Sequence, residues 1–261
     1  MIEMTIHEAI EARHSVRAYQ DKPLSEDVVK VLEHEIDIVN REGCLHIQLV
    51  RNEPKAFLGP LSKYGRFRGV ANYLVVAGQK ADDLDERVGY FGEHLVLVAQ
   101  MLGLNTCWVG VNYSKIPGTY VLGEGEKVAC YIAIGYGKTQ GSAHKIKTVE
   151  QVSSSAVKPL GSGGNSAEAA PTWFRKGVEA ALLAPTAINQ QKFSFVYTGE
   201  YAGRHRIIAK RGFSLLGFTK MDMGIAKYHF EVGAGKLCRW SDFLCRERDA
   251  QSAEEPDIEW I

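Results

Sequence analysis

Hydrophobic and polar positions alternate along this chain with two different periods, and the switches between them mark out the elements. From Thr5 to Ala12 the apolar residues Ile6, Ala9 and Ile10 share one helical face, and the helix is expected to stop at Arg13. Ser25-Glu26-Asp27 reads as a helix start, a capping serine followed by two acids that suit the helix dipole. Val28, Val29, Leu32, Ile36 and Val39 then carry helical spacing to about Asn40, and a turn at Glu42-Gly43 leads into a strand from Leu45 to Val50. Further strands are predicted over Ala71–Gly78, Leu104–Gly110 and Lys127–Gly135. Between them, Val88 to Leu102 is apolar nearly all round, so this helix should lie between two layers rather than on a surface.

The pattern then begins again. Leu160 to Ala167 is small, polar and glycine-rich, a linker by composition. After it come a helix over Trp173–Leu183, a strand over Lys192–Thr198 and a second central helix over Met223–Gly235. The two central helices align without a gap, Gly89-Tyr90-Phe91-Gly92-Glu93-His94 against Gly224-Ile225-Ala226-Lys227-Tyr228-His229. This suggests an internal duplication, with a first half over 1–158, a linker over 159–170 and a degenerate second half over 171–261.

Composition narrows the choice of partners. Thirty-one basic and thirty-one acidic residues leave no net charge, so no global field draws in nucleic acid or an anionic membrane, and any anion site must be local. Arg204-His205-Arg206, with Lys210 and Arg211, therefore reads as a solvated face. Five scattered cysteines without a Cys-x-x-Cys suggest buried thiols in a reducing compartment. No basic region followed by an apolar run opens the chain, and no eighteen-residue apolar stretch occurs, so the expectation is a soluble cytoplasmic protein. The histidines lack metal-binding spacings, and no metal is expected. His94 and His229, at matched positions, are expected to pack or hydrogen-bond where the central helices meet. Ser15 and Ser194 lie outside any Gly-x-Ser-x-Gly turn, and a Gly-x-Gly-x-x-Gly follows no predicted strand.

The candidate chemistry is in Arg13-His14-Ser15-Val16-Arg17. Two arginine forks flank a serine hydroxyl, a set of donors that fits phosphate oxygens. The second half has no such segment, but between its first helix and strand stands Ala184-Pro185-Thr186-Ala187-Ile188-Asn189-Gln190-Gln191. The first half has only Val39 to Cys44 in the corresponding place, so each half supplies what the other lacks.

With these segments in this order the chain resembles the nitroreductase family of FMN-dependent oxidoreductases. Arg13 to Arg17, Asp21-Lys22-Pro23-Leu24, the Gly103-Leu104-Asn105-Thr106-Cys107-Trp108 turn and Ile134-Gly135-Tyr136 match its first half, and Ala184 to Phe193 resembles its Ala-Pro-Ser-x-x-Asn-x-Gln-Pro-Trp segment. Lys192 and Phe193 stand where that family has Pro-Trp, and Thr186 where it usually has serine.

The resemblance implies an α+β nitroreductase-like sandwich in which two related halves form an intramolecular pseudodimer, a monomer sufficient for function, with one FMN between them. It implies that Arg13, His14 and Ser15 with Lys145 and Lys147 meet the FMN phosphate or ribityl chain, and that Arg17, with Arg66 or Arg68, lies towards the pyrimidine edge. Pro185, Thr186, Ala187 and Asn189 would approach from the opposite half, and backbone N–H groups around Val109 and Gly110 would face the flavin edge. The implied activity is hydride transfer from NAD(P)H through the flavin to a nitroaromatic or quinone, with no catalytic side chain required. The alternatives are another flavin reaction on the same fold, or a non-catalytic flavin-binding module.

Overall fold

Thr5 starts the chain's first helix through a reciprocal capping box: its hydroxyl accepts the Glu8 N–H, and the Glu8 carboxylate accepts the Thr5 N–H at 2.7 Å. The computed structural model describes residues 4–157, 170–201, 203–215, 217–235, 238 and 240, with backbone alone at 61 and 63. The linker expected at 160–167 lies outside the described residues. Helix α1 (Ile6–Ala12) buries Ala9 and Ile10 and ends as expected at Arg13, where the backbone becomes extended.

Ser25 caps α2 (Glu26–Gly43), which buries Val29, Leu32, Ile36 and Val39. The helix runs through the turn expected at Glu42-Gly43, and the left-handed residue that ends it is Cys44, at φ 43°. Gly43 is a packing glycine: a Cβ there would fall 2.6 Å from the Phe91 ring. The strand expected from Leu45 shortens accordingly to β1 (Gln48–Val50). Of the cysteines, Cys107 and Cys130 are buried thiols. Cys44 departs from the expected thiol pattern. Exposed at its turn rather than buried, it is disulfide-bonded.

A short helix α3 (Pro60–Tyr64), which the pattern does not signal, precedes β2 (Asn72–Gln79). Central helix α4 (Leu84–Met101) begins earlier than its apolar run, because Asp85 and Glu86 suit its first turn. Strands β3 (Asn105–Val109) and β4 (Glu126–Gly135) complete an antiparallel sheet of order β1-β2-β4-β3. Helix α5 (Val149–Val152) leads to β5 (Ser153–Ser155), which runs parallel to β6 (Phe193–Tyr201) beyond helix α6 (Thr172–Leu182). Strand β7 (Arg204–Arg211) pairs antiparallel with β6 and ends the second sheet. It buries Ile207 and leaves Arg204, Arg206, Lys210 and Arg211 exposed, so the basic run is a solvated face carried on an edge strand.

The second central helix, α7 (Thr219–Ala234), crosses α4 closely. A Cβ on Gly89 would meet the Met221 carbonyl and a Cβ on Gly224 would meet the Glu86 carbonyl, so neither backbone leaves room for a side chain. One apolar core joins Leu74 and Ile132 of the first sheet, Val88 and Leu95 of α4, Phe230 of α7, and Phe195 and Ile207 of the second sheet. The central helices thus lie between two sheet layers in an α+β architecture, as the all-round apolar pattern predicts.

Candidate functional site

The arginine segment is fixed by strand-like contacts on both sides. Ser15 bridges Thr106 of β3, and the Val16 N–H donates to the Thr106 carbonyl at 3.0 Å. On the other side the Arg68 N–H donates to the Arg17 carbonyl and the Tyr19 N–H to the Arg68 carbonyl, both at 2.9 Å. The loop carrying Arg66 and Arg68 is therefore laid alongside Arg17, and all three side chains are exposed. Buried Tyr19 locks the segment by donating its hydroxyl to the Val16 carbonyl at 2.7 Å.

Arg13 behaves differently from its exposed neighbours. It is 3 % exposed, and its Nε has no hydrogen-bond partner among the described residues. Glu93 Oε1 lies 3.8 Å from that Nε, too far for a hydrogen bond. Burial lowers the guanidinium pKa, opposed by Glu93. Burial, then Arg13 and His144, lowers the pKa of half-buried His14. Burial raises the Cys107 thiol, opposed first by Arg17 and then by Arg13.

The segment from the other half is an irregular loop, with a 3-10 turn over Ala187–Asn189 and left-handed backbone at Ile188, Asn189 and Gln191. Such strain at non-glycine residues persists only where the surroundings impose it. Here Asp222, in the first turn of α7, accepts the Ala187 N–H at 2.9 Å and the Gln190 amide at 2.6 Å. Burial raises the Asp222 pKa to about 6 against the lowering effect of those two bonds. Thr186 Oγ1 accepts the Gln191 N–H at 3.1 Å.

The basic tail of the first half is tied to this loop. Asn189 and Gln191 each donate a side-chain amide to the Lys145 carbonyl at 2.8 Å, and Lys147 Nζ donates to the Gln191 carbonyl at 2.6 Å. Burial, then Lys192, lowers the Lys147 pKa. Ring nitrogen Nε2 of His144 lies 3.1 Å from the Leu182 carbonyl. On the remaining side, Gly110 abuts Phe218, whose ring would lie 2.7 Å from any Cβ there, and the Phe218 carbonyl accepts the Asp222 N–H. Val109 and Gly110 are thereby linked through Phe218 and Asp222 to Ala187.

The structure thus brings the predicted residues into one connected set. Arg13 to Arg17 adjoin β3 and the Arg66–Arg68 loop, the charge of His144 acts on His14, and the tail at Lys145 and Lys147 is bonded to Asn189 and Gln191. Two clefts, of about 990 Å³ beside β7 and about 440 Å³ beside His94, contain none of these residues. Asp222, Phe218 and Glu93 also border this set, and the sequence pattern did not single them out as candidates. The available signal was Asp222, one acid between Met221 and Met223 in an otherwise apolar stretch.

A family model described as "Putative TM nitroreductase" matches residues 5–234. No curated protein matches the chain. Among solved structures, a "putative nitroreductase" from Thermotoga maritima MSB8 is similar at 24% identity and a TM-score of 0.62, covering 91% of this chain and 89% of that one. Shorter FMN-bound proteins of the same description also align. One, from Desulfovibrio desulfuricans, has 20% identity and a TM-score of 0.44 over 60% of this chain and 98% of that one. Another, from Exiguobacterium sibiricum 255-15, has 17% identity and a TM-score of 0.46 over 57% and 95%. The Thermotoga protein shares the fold, and the family match runs from α1 to the end of α7: this chain belongs to the nitroreductase family.

Proposed function

We propose that the chain is an FMN-dependent oxidoreductase that passes hydride from NADH or NADPH, by way of the flavin, to an electron-poor acceptor such as a nitroaromatic or a quinone. The observation that carries this reading is Arg13, a buried guanidinium whose Nε has no hydrogen-bond partner among the described residues, in the same segment as exposed Arg17. A buried cation of this kind calls for an anion, and a flavin phosphate is one that the fork geometry fits. FMN-bound proteins among the structural relatives agree with that ligand.

In this reading Arg13, His14 and Ser15 with Lys145 and Lys147 hold the phosphate and ribityl chain. Arg17, with Arg66 or Arg68, places positive charge near the pyrimidine edge, where charge grows on reduction. Pro185, Thr186, Ala187 and Asn189 close the site from the other half, and the Val109–Gly110 backbone presents N–H groups to it. When bound, FMN supplies the redox chemistry, and the protein contributes position and charge.

We also read residues 1–158 and 171–261 as duplicated halves, joined by 159–170, that make one intramolecular pseudodimer. The reciprocal contacts of Gly89 and Gly224 support this, since exchanging the two helices exchanges one contact for the other. A second site is not expected. The corner that would correspond to the Pro185 loop is closed by Arg87, which donates to the Gly43 and Cys44 carbonyls at 2.6 and 3.0 Å.

The test is the visible spectrum of the purified protein, with the released chromophore counted per chain. About one FMN per chain is expected, lost in Arg13→Ala and weakened in Asn189→Ala. Removing hydrogen bonds from a charged donor costs roughly 1.5–3 kcal/mol each, so Arg13→Ala should lower affinity on the order of a hundredfold. Two FMN per chain would overturn the single site, and a protein that takes up no added FMN would overturn the assignment.

A further inference from the structure

We infer that His229, from the second central helix, sets the anion affinity of Arg13 by taking up the charge of Glu93. This rests on the flavin-site reading above for its ligand, and on hydrogen-bond geometry for its mechanism.

Both ring nitrogens of His229 face acceptors. Nδ1 lies 3.1 Å from the Ala180 carbonyl, which can only accept, so Nδ1 carries a proton. Nε2 lies 2.9 Å from Glu93 Oε1, and neither side chain has any exposed surface. A lone pair facing a carboxylate at that distance would be repulsive, so one proton lies between them. Whether that proton is counted as an imidazolium beside a carboxylate or an imidazole beside a carboxylic acid, the pair has no net charge. Trp108 Nε1 donates to Glu93 Oε2 at 2.8 Å and adds none.

Arg13 therefore has a carboxylate at 3.8 Å whose charge is already matched by His229. Among the described residues, the other groups acting on the guanidinium are the neutral Cys107 thiol and, beside it, His14. Neither supplies a negative charge. The buried guanidinium keeps an uncompensated charge, and an incoming phosphate becomes its counterion. Without the His229 proton, Glu93 would become that counterion and compete with the ligand. Glu93 and His229 are thus positioning residues that act through Arg13 and need not touch the cofactor.

The experiment compares FMN and riboflavin affinity, by quenching of flavin fluorescence, in the wild type, His229→Gln, and His229→Gln with Glu93→Gln. The amide introduced by His229→Gln can still donate to Glu93 but brings no shared proton. FMN affinity should fall about tenfold or more in His229→Gln, in line with measured couplings between close charge pairs. It should return to near the wild-type value in the double variant, because an amide in place of the Glu93 carboxylate cannot neutralise Arg13. Riboflavin, which has no phosphate, should bind all three alike. Unchanged FMN affinity in His229→Gln, or a double variant no better than the single one, would overturn the inference and leave the flavin assignment standing.

Thermal stabilisation by inorganic phosphate separates the two readings further. If the wild type bound no FMN but phosphate stabilised it more than His229→Gln, the flavin assignment would fall and the charge argument would hold. If phosphate stabilised neither protein, the charge argument would fall as well. Nitrogen-15 spectra, with the carbon-13 shift of the Glu93 carboxyl, provide a check independent of ligand: His229 should show a proton at Nδ1 and one shared between Nε2 and Glu93, and a deprotonated Nε2 beside an ionised Glu93 would overturn the proposal.

Discussion

Arg87 and Asp222 stand at matched positions of the two central helices, and they do opposite things to the loops beside them. A guanidinium can only donate, so Arg87 draws in the carbonyls of Gly43 and Cys44 and seals the end of α2. A carboxylate can only accept, so Asp222 draws in the Ala187 N–H and the Gln190 amide and holds three left-handed residues in an irregular loop. If the halves are duplicated as proposed, the sign of a single helix residue separates a corner that is closed from one held as an irregular loop. The histidines diverge in the same way. Both ring nitrogens of His229 face acceptors, whereas His94 lies between the Tyr228 hydroxyl and Glu35, each at 2.7 Å.

The comparison depends on the two helices being equivalent where they cross, and the largest expected effect tests that. Gly89→Ala and Gly224→Ala each force a methyl group against a backbone carbonyl, which cannot rotate away. Each should cost about 3 kcal/mol or more, at the upper end of overpacking changes. Urea unfolding of the two variants checks it. Similar losses are expected, and a variant that unfolds like the wild type would break the equivalence at that residue.

Asp222 gives a smaller and more diagnostic effect. Its folded pKa of about 6 lies above the ordinary value of 3.8, so between those values the folded chain binds more proton than the unfolded one. Stability from this group is therefore greatest below about pH 4 and is lost as pH rises through about 6. The loss is on the order of 2–3 kcal/mol, the free energy of a shift of that size. Asp222→Asn should remove that loss, because asparagine still accepts the Ala187 N–H. Its amide can also serve the buried Gln190 Oε1, which otherwise has no partner. Melting temperatures of both proteins from pH 4 to pH 7 provide the check: the variant's advantage should grow as pH rises, and a constant difference would refute it.

Much of this was legible in the sequence because it depends on local periodicity. The cap at Ser25, the stripe from Val29 to Val39, the all-round apolar α4 and the paired loop segments all appear as spacing along one stretch of chain. What escaped depends on distant partners. Strand β7 carries exposed arginines on one face and buries Ile207 on the other, so its composition looked like a solvated run until β6 paired with it. Strand β5 is three serines held by parallel pairing to β6, with no propensity to announce it. Gly43 looked like a turn because glycine commonly ends helices, but its reason was the Phe91 ring. The arginine segment was readable as basic chemistry. That one of its arginines is buried beside Glu93 and His229 required two helices from distant parts of the chain.

The smallest effect expected is at His94, and its smallness sharpens the contrast with His229. His94 can remain neutral with every bond satisfied, accepting the Tyr228 hydroxyl at Nδ1 and donating from Nε2 to Glu35. Its side chain is 28 % exposed and that of Glu35 24 %, so water screens the pair and can replace a lost bond. His94→Gln should therefore change stability by less than about 1 kcal/mol, the range of partly exposed ion pairs. It should leave FMN affinity at the wild-type value, since the partners of His94 are Tyr228 and Glu35 and not Glu93. Titration with FMN beside His229→Gln makes the comparison direct. Equal loss of affinity in both variants would mean that the helix crossing as a whole, and not the proton held by His229, tunes the site.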